Sequence, residues 1–179
     1  MTQVITHGAW RAALSDDVQA AAYTVGDWLE WSWPLETAGT ISGRSRVVVE
    51  VFRATSGITP RALVGGELAL AGRDSLKVRV AQSSSAMTLG AEKTCPSKFA
   101  GSLVPGLPSE FAQATLDGLV RVPANWPSGG LLVVDRGAYD EVESSSLAFE
   151  IASGLLVLSL LAELNGTKLD ASSLARVSS

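Results

Sequence analysis

The chain has 179 residues, 46% hydrophobic and 18% charged, which fits one domain with a sizeable core and excludes a mainly disordered chain. Its 18 acidic and 14 basic residues give a net charge of −4, the wrong balance for a dedicated DNA binder. One cysteine and one histidine exclude a disulfide scaffold and a multi-cysteine metal centre, and leave His7 as the single candidate histidine general base, a residue expected to be exposed or to pack near a flexible end.

Residues 1–10 carry no basic cluster followed by an apolar run, so no secretory signal is expected there. Ala9 to Val25 is expected to be helical, with Ser15-Asp16-Asp17 able to cap and Ala20-Ala21-Ala22 favouring helix. The alternative is a turn at Ser15-Asp16-Asp17 between short strands. Trp28, Trp31 and Trp33 point to a strand that ends at Pro34. Gly39 and Gly43 bracket a turn. Arg44 to Phe52, with valines at 47, 48, 49 and 51, predicts a strand. Ser56 to Pro60 is a loop. Leu63 to Ala71 and Ser75 to Ala81 are two more strands, with Gly72-Arg73-Asp74 as a hairpin turn between them. In the second, Leu76, Val78 and Val80 alternate with Ser75, Lys77 and Arg79, giving one dry and one wet face.

Ser83 to Gly106 lacks regularity and reads as a long loop. A helix is expected from Pro108-Ser109-Glu110 to about Val122, with Phe111, Thr115, Leu116, Leu119 and Val122 at three- and four-residue spacing. Pro123 to Gly130 is a turn, Leu131 to Arg136 a buried strand, and Gly137 to Glu141 a loop. The longest helix spans about Ser145 to Leu164, capped by Ser144 or Ser145. Its Leu147, Ile151, Leu155, Leu158 and Leu161 are expected on a buried face, and Asn165-Gly166 ends it. Leu155 to Leu161 is the longest apolar run, and at that length it falls short of the roughly 20 residues that span a bilayer. The expected location is the cytoplasm, with no membrane contact. Leu169 to Ser179 adds a helical turn or frays. The order predicts an α+β fold, a two-layer sandwich with two helices on one face of the sheet.

The sequence has no phosphate loop, no dinucleotide glycine fingerprint at Gly65-Gly66 or Gly129-Gly130, and no G-x-S-x-G elbow. Gly154 lies mid-helix, where close packing explains it. Cys95 lies between Lys93 and Lys98, yet without a partnering histidine it reads as a small hydrophobe. Asp135, Asp140, Glu141 and Glu143 could run acid–base chemistry in a cleft or form a solvated acidic loop. No cofactor or metal site is expected. Trp28, Trp31 and Trp33 either form an aromatic partner interface or cover a core, and Trp126 is a lid or a contact. Charge is segregated: residues 1–40 carry −4, residues 41–100 carry +5 and residues 101–179 carry −5. The basic middle fits a solvated sheet face or a surface for an anionic partner.

Gly106-Leu107-Pro108-Ser109-Glu110-Phe111, Gly118-Leu119, Val133-Val134-Asp135, Tyr139 to Ser145 and Ala148-Phe149-Glu150-Ile151-Ala152 occur in this order. This set resembles domain IV of elongation factor G over about residues 103–161, with a weaker extension back to Gly43. The GTPase part of that family is absent from the chain. The resemblance implies a mixed sheet with a left-handed βαβ crossover. It also implies a tip formed by Gly137, Tyr139, Asp140, Glu141 and Glu143, with Gly43, Arg44 and Arg46 beside it. Asp140 stands where the family has a histidine, and with Glu141 it opposes a phosphate backbone by about 1 kcal/mol per contact pair in water.

The expected organisation is residues 1–40 as an extension or added strands, 41–165 as the domain IV-like sandwich, and 166–179 as a tail. The leading expectation is a stand-alone, non-catalytic binding domain associated with the ribosome or translation. The alternatives are a small-molecule enzyme using the acidic loop 135–143, and a protein-binding regulator or homo-oligomeric module.

Overall fold

The computed structural model describes residues 2–16, 19, 21–36, 39–84, 90–122 and 126–179. The strands are β1 (Gln3–His7), β2 (Trp10–Ser15), β3 (Val25–Pro34), β4 (Ser42–Arg53), β5 (Arg61–Arg73), β6 (Ser75–Ser83), β7 (Cys95–Pro96), β8 (Ser102–Pro105) and β9 (Gly129–Tyr139). The helices are α1 (Ser109–Arg121), α2 (Ser146–Leu164) and α3 (Ala171–Ser178). The fold is α+β, built on a large mixed sheet ordered β1-β2-β4-β5-β9-β6-β3. Only the β6–β9 pairing in that series is parallel.

Among the described residues of the expected N-terminal helix, none is helical: Trp10 to Ser15 is instead a strand between β1 and β4. Ala12, Ala13 and Leu14 are buried in that position, so ladder pairing overrides the helical preference of alanine. Asp17 and Ala20 of that expected helix lie outside the described residues, as do Ser85 and Pro123. Residues 1–40 supply strands at both edges of the sheet, β1 and β2 at one and β3 at the other.

The turn at Gly72 exists, with φ of +62°, but β5 and β6 do not form a hairpin. They diverge, and β9 enters the fork: Leu132 lies opposite Leu68 of β5 and Val78 of β6. Two glycine pairs make this possible. A Cβ on Gly130 would meet the Leu70 backbone, with Cα at 2.9 Å, and one on Gly129 would meet the Arg73 carbonyl carbon at 2.8 Å. Gly66 stands at the register shift between β5 and β9, facing the backbone of Val133 and Val134. The apolar run Leu131 to Val134 suits a central strand.

All three helices lie on one face, where expectation had two. Leu76, Val78, Val80, Leu132 and Val134 share one core cluster with Phe111, Leu119, Phe149, Leu155, Leu160 and Leu174. Ser45 donates to the Leu160 carbonyl oxygen at 2.9 Å, fixing α2 under β4. Ser145 caps α2 by accepting from the Ala148 amide, and Gly166 closes it with φ of +64°. Leu147, in the first turn of α2, is 52% exposed and does not join the buried face. α2 has 19 residues and is long and apolar enough to cross a membrane by composition. Eleven of its residues, between Ala148 and Leu160, are buried against the sheet, α1 and α3, which accounts for that composition. The tail forms α3 rather than fraying: Asp170 caps it, and Val177 meets Gly154 of α2.

The crossing of α1 over α2 depends on Gly118. A Cβ there would run into the Glu150 carbonyl oxygen and the Ser153 hydroxyl, with the Glu150 Cα at 2.7 Å. Gly118→Ala gains about 1 kcal/mol of helix propensity but overpacks a backbone contact at a cost of about 1–3 kcal/mol. The expected result is a lower urea midpoint at unchanged slope; a raised midpoint would show that the crossing has slack.

Among the described residues, the opposite sheet face is covered only at one end. Val48, Leu63 and Ala138 pack there against Ala21, Cys95 and Leu103. The segment expected to be a long loop therefore carries the β7–β8 pair, and Cys95 is a buried member of this small cluster.

Candidate functional site

The end of β9 is an internal junction. Gly137 and Tyr139 belong to the strand rather than to a loop, because Ala138 and Tyr139 pair with Pro105 and Val104. A Cβ on Gly137 would strike the Leu107 side chain. The buried Tyr139 ring lies 5.8 Å from that of Phe111. Asp140 is only 7% exposed. Its carboxylate accepts from the Val142 and Glu143 amides and from Lys93 Nζ at 2.8 Å, which folds residues 140–143 into a tight turn. Glu141 accepts from the Ala91 amide at 2.8 Å. Glu143 faces Arg61 at 3.5 Å, and Arg61 faces the buried Glu50 at 3.5 Å. Glu50 in turn accepts from Ser97 Oγ and the Lys98 amide. The acidic turn is thus neutralised from within.

Burial pushes the Asp140 carboxyl up, but the Lys93 ammonium and the two turn amides outweigh it and hold the group below the usual carboxylate range. A carboxyl depressed on folding adds stability that is complete above its unfolded pKa and is lost as pH falls through its folded value. Asp140→Asn should therefore weaken the protein at pH 7 by about 1–2 kcal/mol and lessen the gap from wild type below pH 3. Chemical unfolding at both pH values checks this, and an equal loss at each would rule out the carboxylate.

Gly43 and Arg44 do not lie beside that turn. Gly43 stands opposite Leu70, which stands opposite Gly130, at the start of β9. Tyr139 is nine residues further along, roughly 30 Å away at strand rise. Arg46 lies between, paired with Asp135 at 2.8 Å and Glu67 at 3.6 Å. Asp135 also meets Arg136 at 3.1 Å, so it does not join Asp140, Glu141 and Glu143 in a cleft. Among the described residues, no group of three or more His, Cys, Asp or Glu side chains is placed to hold a metal ion.

The three tryptophans do not share a surface. Trp28 lies under the Arg79 guanidinium at 4.4 Å, on the face away from the helices. Trp33 packs toward the core with Trp126, their rings 6.0 Å apart. Trp31 is 48% exposed on the edge strand. His7 is exposed at the end of β1.

A different surface emerges from strand register. On the sheet face away from the helices, one row across the strands reads Arg46, Glu67, Val133, Arg79, Glu30. The next reads Arg44, Ala69, Leu131, Lys77, Ser32. The first row alternates in sign. The second has two cations on an apolar floor and no carboxylate. Arg73, Lys77 and Arg79 border a groove of about 590 Å³ over Leu131. The described residues of this face include Arg44, Arg46, Arg73, Lys77, Arg79 and Arg136 against Glu30, Glu67 and Asp135. The signal was present in the sequence as arginine and lysine at two-residue spacing, 44/46 and 77/79, once each pair is placed on a strand. Compared with known proteins, the chain matches no family model, and no curated protein or solved structure matches it.

Proposed function

We propose that this chain is a non-catalytic binding domain of the elongation factor G domain IV kind, acting in the cytoplasm on the ribosome or another RNA-rich translation partner. In this reading the β6–α1–β9 crossover is left-handed, against the usual preference of βαβ units. The contact surface is the exposed face of the sheet rather than the 137–143 turn. One observation carries this choice: a chain of net charge −4 sets six described cations against three carboxylates on that face, with Arg73 and Lys77 bordering the groove and Arg44 paired to Glu67 at 3.3 Å. Asp140 and Glu141 are engaged by Lys93 and the Ala91 amide. They neither repel a phosphate backbone from an open tip nor offer an acidic lure to a protein. The enzyme reading loses its support for the same reason, since the loop carboxylates are engaged in ion pairs and turn bonds.

Three phosphate contacts imply that log affinity falls with log salt at a slope of about −2 to −3. Co-sedimentation with ribosomes and titration of single-stranded RNA at several salt concentrations test this. Arg44→Glu with Lys77→Glu should abolish binding, while Glu141→Gln should leave it within about twofold. No binding at low salt overturns the proposal, as does binding that is indifferent to salt and to the paired reversal.

A further inference from the structure

We infer that β3 pairs edge to edge with β3 of a second copy of this chain, about a two-fold axis at Trp31, so that the mixed sheet runs on through a dimer. The inference is independent of the ligand proposed above. β3 is the last strand of the sheet and pairs on one side with β6. The Leu35 amide donates to the Asp74 carbonyl oxygen at 2.8 Å. Bonded and non-bonded positions alternate along an antiparallel ladder. Leu29, Trp31 and Trp33 therefore turn their backbone groups toward β6, while Trp28, Glu30 and Ser32 turn theirs toward the open side. The Trp28 amide agrees, being taken by Asp27 Oδ1 at 2.8 Å rather than by the ladder. Pro34 has no N–H to offer. The edge is thus closed at both ends and open at Glu30 and Ser32, a window that suits one short, closed pairing rather than open-ended stacking.

Side chains select the register. A two-fold axis at Glu30 would set Glu30 against its own copy. An axis at Ser32 would place the two Lys77 ammonium groups across a pair of serines, since Lys77 stands beside Ser32. An axis at Trp31 removes both conflicts. It sets Glu30 opposite the second copy's Ser32, with the second copy's Lys77 one strand beyond. The row then reads Arg79, Glu30, Ser32, Lys77, with opposite charges alternating across the junction. On the helix side the same register puts Trp31 against its copy and Leu29 against the second copy's Trp33. These pairs extend the apolar rows that β6 begins with Val78, Val80 and Leu76. Trp31, half exposed in one copy, is covered in two.

Light scattering on the purified chain at about 50 µM should return twice the chain mass of 18.6 kDa. Trp31→Lys and Glu30→Lys, both at exposed positions, should each raise the dimer dissociation constant at least tenfold without changing the far-ultraviolet spectrum. Trp31→Cys should cross-link on mild oxidation, because it faces its own copy and Cys95 is buried. Glu30→Cys should not. A monomeric wild type overturns the inference, and so does a dimer that survives both lysine variants or cross-links through Glu30→Cys. None of these measurements involves RNA, so they fail or succeed separately from the ribosome reading.

Discussion

Arg61→Met is expected to lower the melting temperature by about 6–20 °C, the consequence of losing roughly 3–5 kcal/mol in a chain of this size. Arg61 is 4% exposed and Glu50 is 1% exposed, so neither charge has bulk water as an alternative partner. Coulomb attraction at their separation is far larger inside the protein than at its surface. The cost of burying both charges is already met in the native state. Among the described residues, removing the cation leaves Glu50 with only the Ser97 hydroxyl and the Lys98 amide. Arg61 also donates to the Ala100 carbonyl oxygen at 2.8 Å and holds Glu143. One side chain therefore ties β5, the β7–β8 segment and the turn after β9. Its Nε has no partner, so even the native arrangement is not fully satisfied. Replacing the pair together, Glu50→Leu with Arg61→Met, should recover part of the loss, because no isolated charge remains buried. Thermal unfolding of the single and double variants measures this. A single variant within 1 kcal/mol of wild type would mean that the junction tolerates an unpaired carboxylate.

The sequence made some parts of this arrangement legible and hid others, for physical reasons. Strands β4 and β6 declare themselves through valine content and strict alternation. α1 and α2 do so through proline at one start, Ser145 at the other and Gly166 at the end. Local chemistry decides each of these. Non-local pairing does not leave such a mark. Nothing near Gly72 says that a strand more than 50 residues later will part β5 from β6. The glycine pairs 65–66 and 129–130 record that insertion, but only as close approach once the partner backbone is known. The β2 helix expectation failed similarly: alanine prefers a helix until neighbouring strands offer every backbone group a partner.

The candidate site divides along the same line. A run of acidic residues after a strand looks like an open, charged tip. Lys93 lies 47 residues from Asp140, the Ala91 amide 50 from Glu141 and Arg61 82 from Glu143, where no local pattern can point to them. The cations were misplaced by the opposite error. Arg44 and Arg46 fall in an expected strand, yet the resemblance sets them beside the tip, whereas strand alternation sets them on a face with Lys77 and Arg79. Net charge was a poor guide in both cases, because folding sorts charges by face rather than by position in the chain.

Phe149→Ala is the second large expected effect, about 3–5 kcal/mol. Phe149 is fully buried near the start of α2, its ring stacked on that of Phe111 at 4.5 Å. Phe111 leans on Tyr139, so the three rings join α2, α1 and the end of β9. Truncation removes the transfer energy of a phenyl group, leaves a cavity and breaks an aromatic pair that adds about 0.5–1.5 kcal/mol. Collapse is restricted, because Gly118 already brings the two helices to backbone contact nearby. Phe149→Leu should cost less than half as much, since it refills most of the volume. The cavity lies on the helix side of the sheet, and Arg44 and Lys77 lie on the other. RNA or ribosome affinity measured well below the lowered melting temperature should therefore stay within about twofold of wild type. A variant that melts early but binds normally when folded would assign the helix layer to support and the cationic face to recognition. Binding that fell in step with stability would move recognition to the helix side.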